Sequence, residues 1–312
     1  MVLKNRISLL LIATFALILT LTVVSAGWTD MFKTITGKAT SSPVVVNVTI
    51  ANVTPQIIRV FQVADQSITE NSKTMFLINF TAQDGDGWGD LNVTTAKINL
   101  TRTGETPVRQ NTTCIRYQQG GTQANFSCNL DIWYYDSAGE WNISVFIADN
   151  TSRNATNMTT NVTILQTSAF VAGPSAVTFA AISPGAQNTT SNNDPITLNN
   201  TGNKPITAGN IQINATDLVG ETDNSKAIYA NNFSVGTQTG SNDECGGTGS
   251  TLMSKSVFSA LSGATLPRGN NSLQDGSTGQ EQVYICIVRV GTELTAQSYS
   301  TANQGSWTAK II

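Results

Sequence analysis

Trp141-Asn142-Ile143-Ser144-Val145-Phe146-Ile147 reads as a β-strand with one wet face. Trp141, Ile143, Val145 and Ile147 occupy every second position, with Asn142 and Ser144 between them. Strand side chains alternate in direction, so this spacing turns the first set inward and the second outward. The same period places Ala96, Ile98 and Leu100 against Lys97, Asn99 and Thr101, and Ile211 and Ile213 against Asn214. It also places Val44, Val46, Val48 and Ile50 against Asn47 and Thr49.

Short runs of this kind, separated by turn residues, predict strands at 44–50, 57–63, 74–82, 93–101, 112–118, 124–134, 141–148 and 158–165. About eight strands in about 120 residues, with no helical periodicity of useful length, predict an antiparallel sandwich. The Gly-, Thr- and Asn-rich remainder predicts further strands at 179–182, 195–198, 211–215, 227–233, 257–261, 283–290 and 307–312. The expected fold is all-β, with two tandem antiparallel β-sandwich domains at 43–167 and 168–312.

Asn-X-Ser/Thr sequons run the length of the chain, at Asn47, Asn52, Asn79, Asn92, Asn99, Asn111, Asn125, Asn142, Asn150, Asn154, Asn157, Asn161, Asn188, Asn199, Asn214, Asn232 and Asn270. With roughly thirty Asn and about a quarter of positions Ser or Thr, chance supplies only about seven. Several fall in the outward register of the predicted strands, where a bulky glycan has room. The alternative is a polar strand face rich in Asn and Thr for β-propensity and solubility.

Lys4 and Arg6, the apolar run Ile7 to Val24, and Val24-Ser25-Ala26 describe a secretory signal over 1–26, with cleavage expected after Ala26. At about 18 residues the run is also long enough to stay as an uncleaved anchor. Trp28, Met31, Phe32 and Ile35 recur at helical spacing within 27–42, which predicts either an amphipathic helix on the outer membrane surface or a plain spacer and linker. Charge is sparse, the net value is −3, and no basic block follows the leader, which argues against nucleic-acid binding.

The chain has no histidine. That removes Ser-His-Asp and Cys-His nucleophile pairs and histidine metal sites, leaving only carboxylate mechanisms, so no enzyme is expected. Four cysteines in an exported chain favour disulfides. Cys114 and Cys128 are symmetric about Gly121 in the turn Gln119-Gly120-Gly121-Thr122, which makes them cross-strand neighbours; the pairs expected are Cys114–Cys128 and Cys245–Cys286, each within one domain, the latter stapling the polar loop 237–251, and free buried thiols are the alternative.

Asp84-Gly85-Asp86-Gly87-Trp88-Gly89-Asp90-Leu91, with Asp136-Ser137-Ala138-Gly139-Glu140-Trp141 leading to Asp149-Asn150, resembles the immunoglobulin-like domains of microbial surface proteins over roughly 55–165. There a strand ends in an Asp-Gly loop, and a late strand enters through an Asp-x-Ala-Gly-x-aromatic corner. The resemblance implies an immunoglobulin-like first sandwich. Asn199-Asn200-Thr201-Gly202-Asn203-Lys204-Pro205-Ile206 is similar to a turn of exported β-sandwich repeats.

Asp84, Asp86 and Asp90 form the densest carboxylate cluster, and in such a sandwich the loop with Asp149 lies at the same end. The spacing lacks the third regular ligand and terminal Glu of an EF-hand, so an ordinary solvated turn with no cofactor is the first reading; the alternative is a calcium-stiffened loop, since calcium takes several hard oxygens from a tight loop and these four could supply them. Trp133, Tyr134, Tyr135 and Trp141, near Asp131, Asp136 and Glu140, are either core packing or a sugar-binding face. The function expected is an exported, N-glycosylated structural protein of the cell surface, with an archaeal envelope suggested by analogy. Its partners would be other surface proteins or copies of itself. The rivals are a filament subunit that donates 42–54 as a strand, and an adhesin binding glycans.

Overall fold

The computed structural model of the chain describes residues 47–106, 108–238, 245–269 and 279–312. The expected leader 1–26, the segment 27–42, Val44, Val46 and Asn270 lie outside the described residues. The chain divides into two compact units, Met1–Ala51 and Asn52–Ile312, and the second holds every strand described.

The chain is all-β. The first eight strands are β1 (Gln56–Val60), β2 (Lys73–Gln83), β3 (Leu91–Thr101), β4 (Arg109–Asn111), β5 (Ile115–Gly120), β6 (Gln123–Trp133), β7 (Gly139–Asp149) and β8 (Asn154–Ile164). They make two four-stranded antiparallel sheets, ordered β1-β2-β6-β5 and β4-β3-β7-β8. Between the sheets lie Phe76, Ile78 and Phe80 of β2, Phe126, Leu130 and Ile132 of β6, Ile98 and Leu100 of β3, and Trp141, Ile143 and Ile147 of β7. Burial on alternate positions of all four strands is what period-two spacing dictates when one sheet face packs and the other is solvated. Phe80 and Phe126 are directly opposed in register and stack at 4.9 Å. Past β1 the chain crosses to the other sheet, where Gln66 N–H donates to Thr163 O and Leu165 N–H to Gln66 O, a single parallel bridge at the C-terminal end of edge strand β8.

The strand expected over 112–118 is two elements. Residues 109–111 pair with β3 and 115–120 with β6, because the chain changes sheets at Cys114. Residues 47–50 carry no strand, and Val48 and Ile50 are 78% and 84% exposed, contrary to the core-facing strand predicted over 44–50. Alternation says which side chains share a face, but it does not supply the neighbouring strand a ladder needs.

A second core is built by β9 (Phe170–Gly173), β10 (Gln187–Thr190), β11 (Ile196–Asn200), β12 (Ile211–Asn214), β13 (Leu218–Gly220), β14 (Ala227–Ile228), β15 (Phe233–Gly236), β16 (Ser250–Leu252), β17 (Phe258–Ala260), β18 (Gln280–Arg289), β19 (Tyr299–Ser300) and β20 (Thr308–Ile311). The central strand is β18: β10 and β11 share one side of it and β15 takes the other. Smaller sheets β17-β12-β20 and β14-β13-β19 complete the shell around Leu198, Ile211, Phe233, Leu266, Val283 and Ile285. Residues 179–182, expected to be a strand, are irregular, although Phe179 and Ile182 still pack on this core. The run 227–233 is interrupted by a single 3-10 turn at Ala230–Asn232.

Candidate functional site

Three connections meet at one end of the first sandwich. Leaving β2, the chain runs through Asp84-Gly85-Asp86-Gly87 and one 3-10 turn, Trp88–Asp90, into β3. This loop is pegged to the β5–β6 hairpin by Asp84 N–H to Thr122 O (2.9 Å) and Trp88 N–H to Gly121 O (3.2 Å). It is pegged to the β7–β8 turn by Asn150 N–H to Asp90 O (2.9 Å). The guanidinium of Arg116, on β5, lies 4.5 Å from the Trp88 ring centroid, within cation–π range.

Carboxylate oxygens of Asp84, Asp86 and Asp90 lie within 4.8 Å of one another. Asp84 is 1% exposed; its Oδ1 accepts the Asp86 N–H (2.9 Å), while its Oδ2, like Asp90 Oδ2, is cut off from solvent and accepts nothing. Burial pushes the Asp84 carboxyl above its usual range. The Asp86 N–H works against that, and the charges of Asp90, Asp86 and Asp149 reinforce it.

Asp149 is close enough to be felt, yet it does not join the cluster as predicted. Its Oδ1 accepts from Thr151 N–H, Thr151 Oγ1 and Arg153 N–H, and its Oδ2 from Asn52 Nδ2, so one oxygen shapes the turn and the other holds Asn52. Burial raises its pKa, but the bonds from Thr151, Asn52 and Arg153 outweigh burial and hold the carboxyl below its ordinary value.

The segment just before β1 is strapped across the same end. Asn52 Nδ2 donates to Asp149 Oδ2 and Thr151 Oγ1 (2.7 Å each), Val53 N–H donates to Asp86 Oδ2 (2.7 Å), and Arg153 Nη1 donates to Asn52 O. A Cβ on Gly85 would come within 3.1 Å of the Val53 side chain, so glycine there lets the strap lie close.

The aromatic cluster divides. Tyr134, Tyr135 and Trp141 are buried, with Trp141 Nε1 donating to Ser137 O, and Trp133 alone stays half-exposed. Trp133 stacks on Tyr135 at 5.8 Å and lines a polar cleft of about 520 Å³ together with Lys73 and Asp131. Asp136 is fully buried and held by the Arg109 guanidinium through both carboxylate oxygens, while it also accepts the Trp133 N–H. That carboxylate is a corner staple, and it is not free for sugar or catalysis. No local pattern points to Arg109, because the pairing is set by tertiary placement across 27 residues.

Both predicted disulfides are formed, Cys114–Cys128 and Cys245–Cys286. They fit an oxidising, extracellular environment. Among the described residues no helix is long and apolar enough to cross a membrane.

None of the described sequon asparagines is buried. Asn47, Asn142, Asn150, Asn154, Asn161 and Asn188 are exposed, and Asn52, Asn79, Asn92, Asn99, Asn111, Asn125, Asn157, Asn199, Asn214 and Asn232 are half-buried. The asparagines that are buried, Asn200 and Asn203, begin no sequon. Each is a structural pin: Asn200 bonds Lys204 O, Pro267 O and Gly202 N–H, and Asn203 bonds Leu165 O and Thr167 N–H. No protein-family model matches the chain, and no curated protein matches it.

Proposed function

We propose that the chain is an exported, N-glycosylated structural protein of a cell surface, whose partners are other surface proteins or further copies of itself. The observation that carries this reading is the partition of asparagines: among the described residues no sequon asparagine is fully buried, although Oδ1 of Asn79, Asn99, Asn199 and Asn214 is cut off from solvent, while the buried Asn200 and Asn203 begin no sequon. At Asn92, Asn111 and Asn157 the Thr two residues on donates both N–H and hydroxyl to the asparagine Oδ1, a local Asx turn at the surface. In the first sandwich, order β1-β2-β6-β5 against β4-β3-β7-β8 corresponds to A-B-E-D against C′-C-F-G, which supports the immunoglobulin-like reading. Glycans on the outer faces would leave strand edges and loop ends as contact surfaces.

Intact-mass and glycopeptide analysis of the native protein tests this. Sugar-sized mass increments at several of Asn47, Asn142, Asn154 and Asn157 are expected, together with loss of residues 1–26. A native chain carrying no increment at any sequon would overturn the reading.

A second reading, strand donation from the N-terminal segment, is favoured by the exposed, unpaired Val48 and Ile50. An apolar cleft of about 390 Å³ beside Phe179, Phe233 and Trp307 could receive such a strand. Because Asn52 and Val53 are bonded to their own sandwich, the donated stretch would end before Asn52. Fibres in electron micrographs that vanish on deleting residues 27–50 would support it.

A further inference from the structure

We propose that Asp84, Asp86 and Asp90 form a calcium site that locks the strap Asn52–Val53 onto the first sandwich. Three carboxylates within 4.8 Å of one another repel, and among the described residues no Lys or Arg forms an ion pair with any of them. An acidic turn in open water would tolerate this, since solvent screens the charges. Here water reaches only part of the cluster: Asp86 is exposed and Asp90 half-buried, but Asp84 is 99% buried, and two oxygens, Asp84 Oδ2 and Asp90 Oδ2, have neither solvent nor a donor. An ionised carboxylate is strongly disfavoured in such a place unless something positive meets it.

The donor set narrows what that is. The cluster offers carboxylate oxygens, the chain has no histidine, and its four cysteines are in disulfides, so metals preferring nitrogen or sulfur are poorly served. Calcium accepts an irregular set of six to eight oxygens and fills vacant positions with water, whereas magnesium demands a near-ideal octahedron. One oxygen from each of the three aspartates is a fitting start for the former.

The strap gives the site its consequence. Val53 N–H donates to the same Asp86 carboxylate that would bind the ion, and Asn52 is held by Asp149 next to it. An ion that fixes Asp86 therefore also fixes the point where the N-terminal segment enters the folded body. None of the three aspartates belongs to a sequon, but Asn52 of the strap does, and its Nδ2 is engaged by Asp149 Oδ2 and Thr151 Oγ1, so the lock is a property of chains without a glycan at Asn52.

The full chain is stripped with EGTA at pH 7.5 and titrated with calcium at constant ionic strength. The thermal midpoint is expected to rise saturably by several degrees, as for any ligand that binds only the folded state. Terbium luminescence excited through tryptophan, Trp88 lying inside the loop, is expected to appear and to be displaced by calcium. Hydrogen exchange at the Val53 amide is expected to slow at least several-fold. Asp84→Asn in EGTA should melt at or above the wild type, since an amide replaces a buried charge, and should lose the calcium response. Asp86→Asn, at an exposed position, should weaken that response if the first variant does not fold. A midpoint and luminescence indifferent to millimolar calcium would overturn the site. Equal effects from magnesium would overturn the choice of ion, and an unchanged Val53 amide would overturn the lock.

Discussion

Asp149 shows how one side chain can be read as a ligand from sequence and act as a fastener in the fold. Four hydrogen bonds hold its carboxylate ionised and below its usual pKa, and burial works against them. The sign for stability follows from proton linkage. The unfolded carboxyl titrates near about 3.9, so as pH falls through that value the unfolded chain takes up a proton before the folded one does. The stability Asp149 contributes is complete above that range and is lost as pH falls through the lower folded value. The acid limb of thermal midpoint against pH is therefore expected to be steeper in the wild type than in Asp149→Asn. Coincident limbs would show that these bonds contribute nothing to the folded state.

The disulfides act at the scale of elements. Cys114 sits where the chain leaves one sheet for the other, and its bond to Cys128 on β6 closes a hairpin of separation 14. Cys286 lies on central strand β18, and its bond to Cys245 spans 41 residues. Closing a longer loop removes more freedom from the unfolded chain, about 3 kcal/mol for the first and about 4 kcal/mol for the second. Replacing each pair by serine in turn, with urea unfolding as the readout, is expected to cost the 245–286 pair about 1 kcal/mol more. This symmetry about a glycine turn was readable in the sequence because a hairpin pairs residues equidistant from its tip. The sheet change at Cys114 was not readable, since 112–118 alternates like one strand.

The whole molecule has two cores joined by polar contacts. Arg268 of the second reaches Glu105, which is buried, and donates to Tyr135 O (2.6 Å). Asn203 donates to Leu165 O and accepts from Thr167 N–H, and Asn71 N–H donates to Thr201 O. Removing one partner of a buried ion pair typically costs about 3–5 kcal/mol, and the partial exposure of Arg268 argues for the lower end. Wild-type protein is expected to melt in one transition and Arg268→Ala in two, the first core unfolding at the lower temperature by calorimetry. Adding Glu105→Gln should recover much of the loss by removing the stranded charge.

The sequence by itself determined the all-β class, most strands and the disulfide partners. Each follows from local periodicity, counting or turn symmetry, which need no knowledge of distant residues. Only tertiary structure decided that Asp84 is buried while Asp86 is exposed, that Asp149 belongs to its own turn, and that Asn52–Val53 closes the acidic end. It also paired Arg109 with Asp136 and Glu105 with Arg268. Charge and burial at these places depend on which loops meet at one end of a sandwich, and period-two alternation carries no information about that.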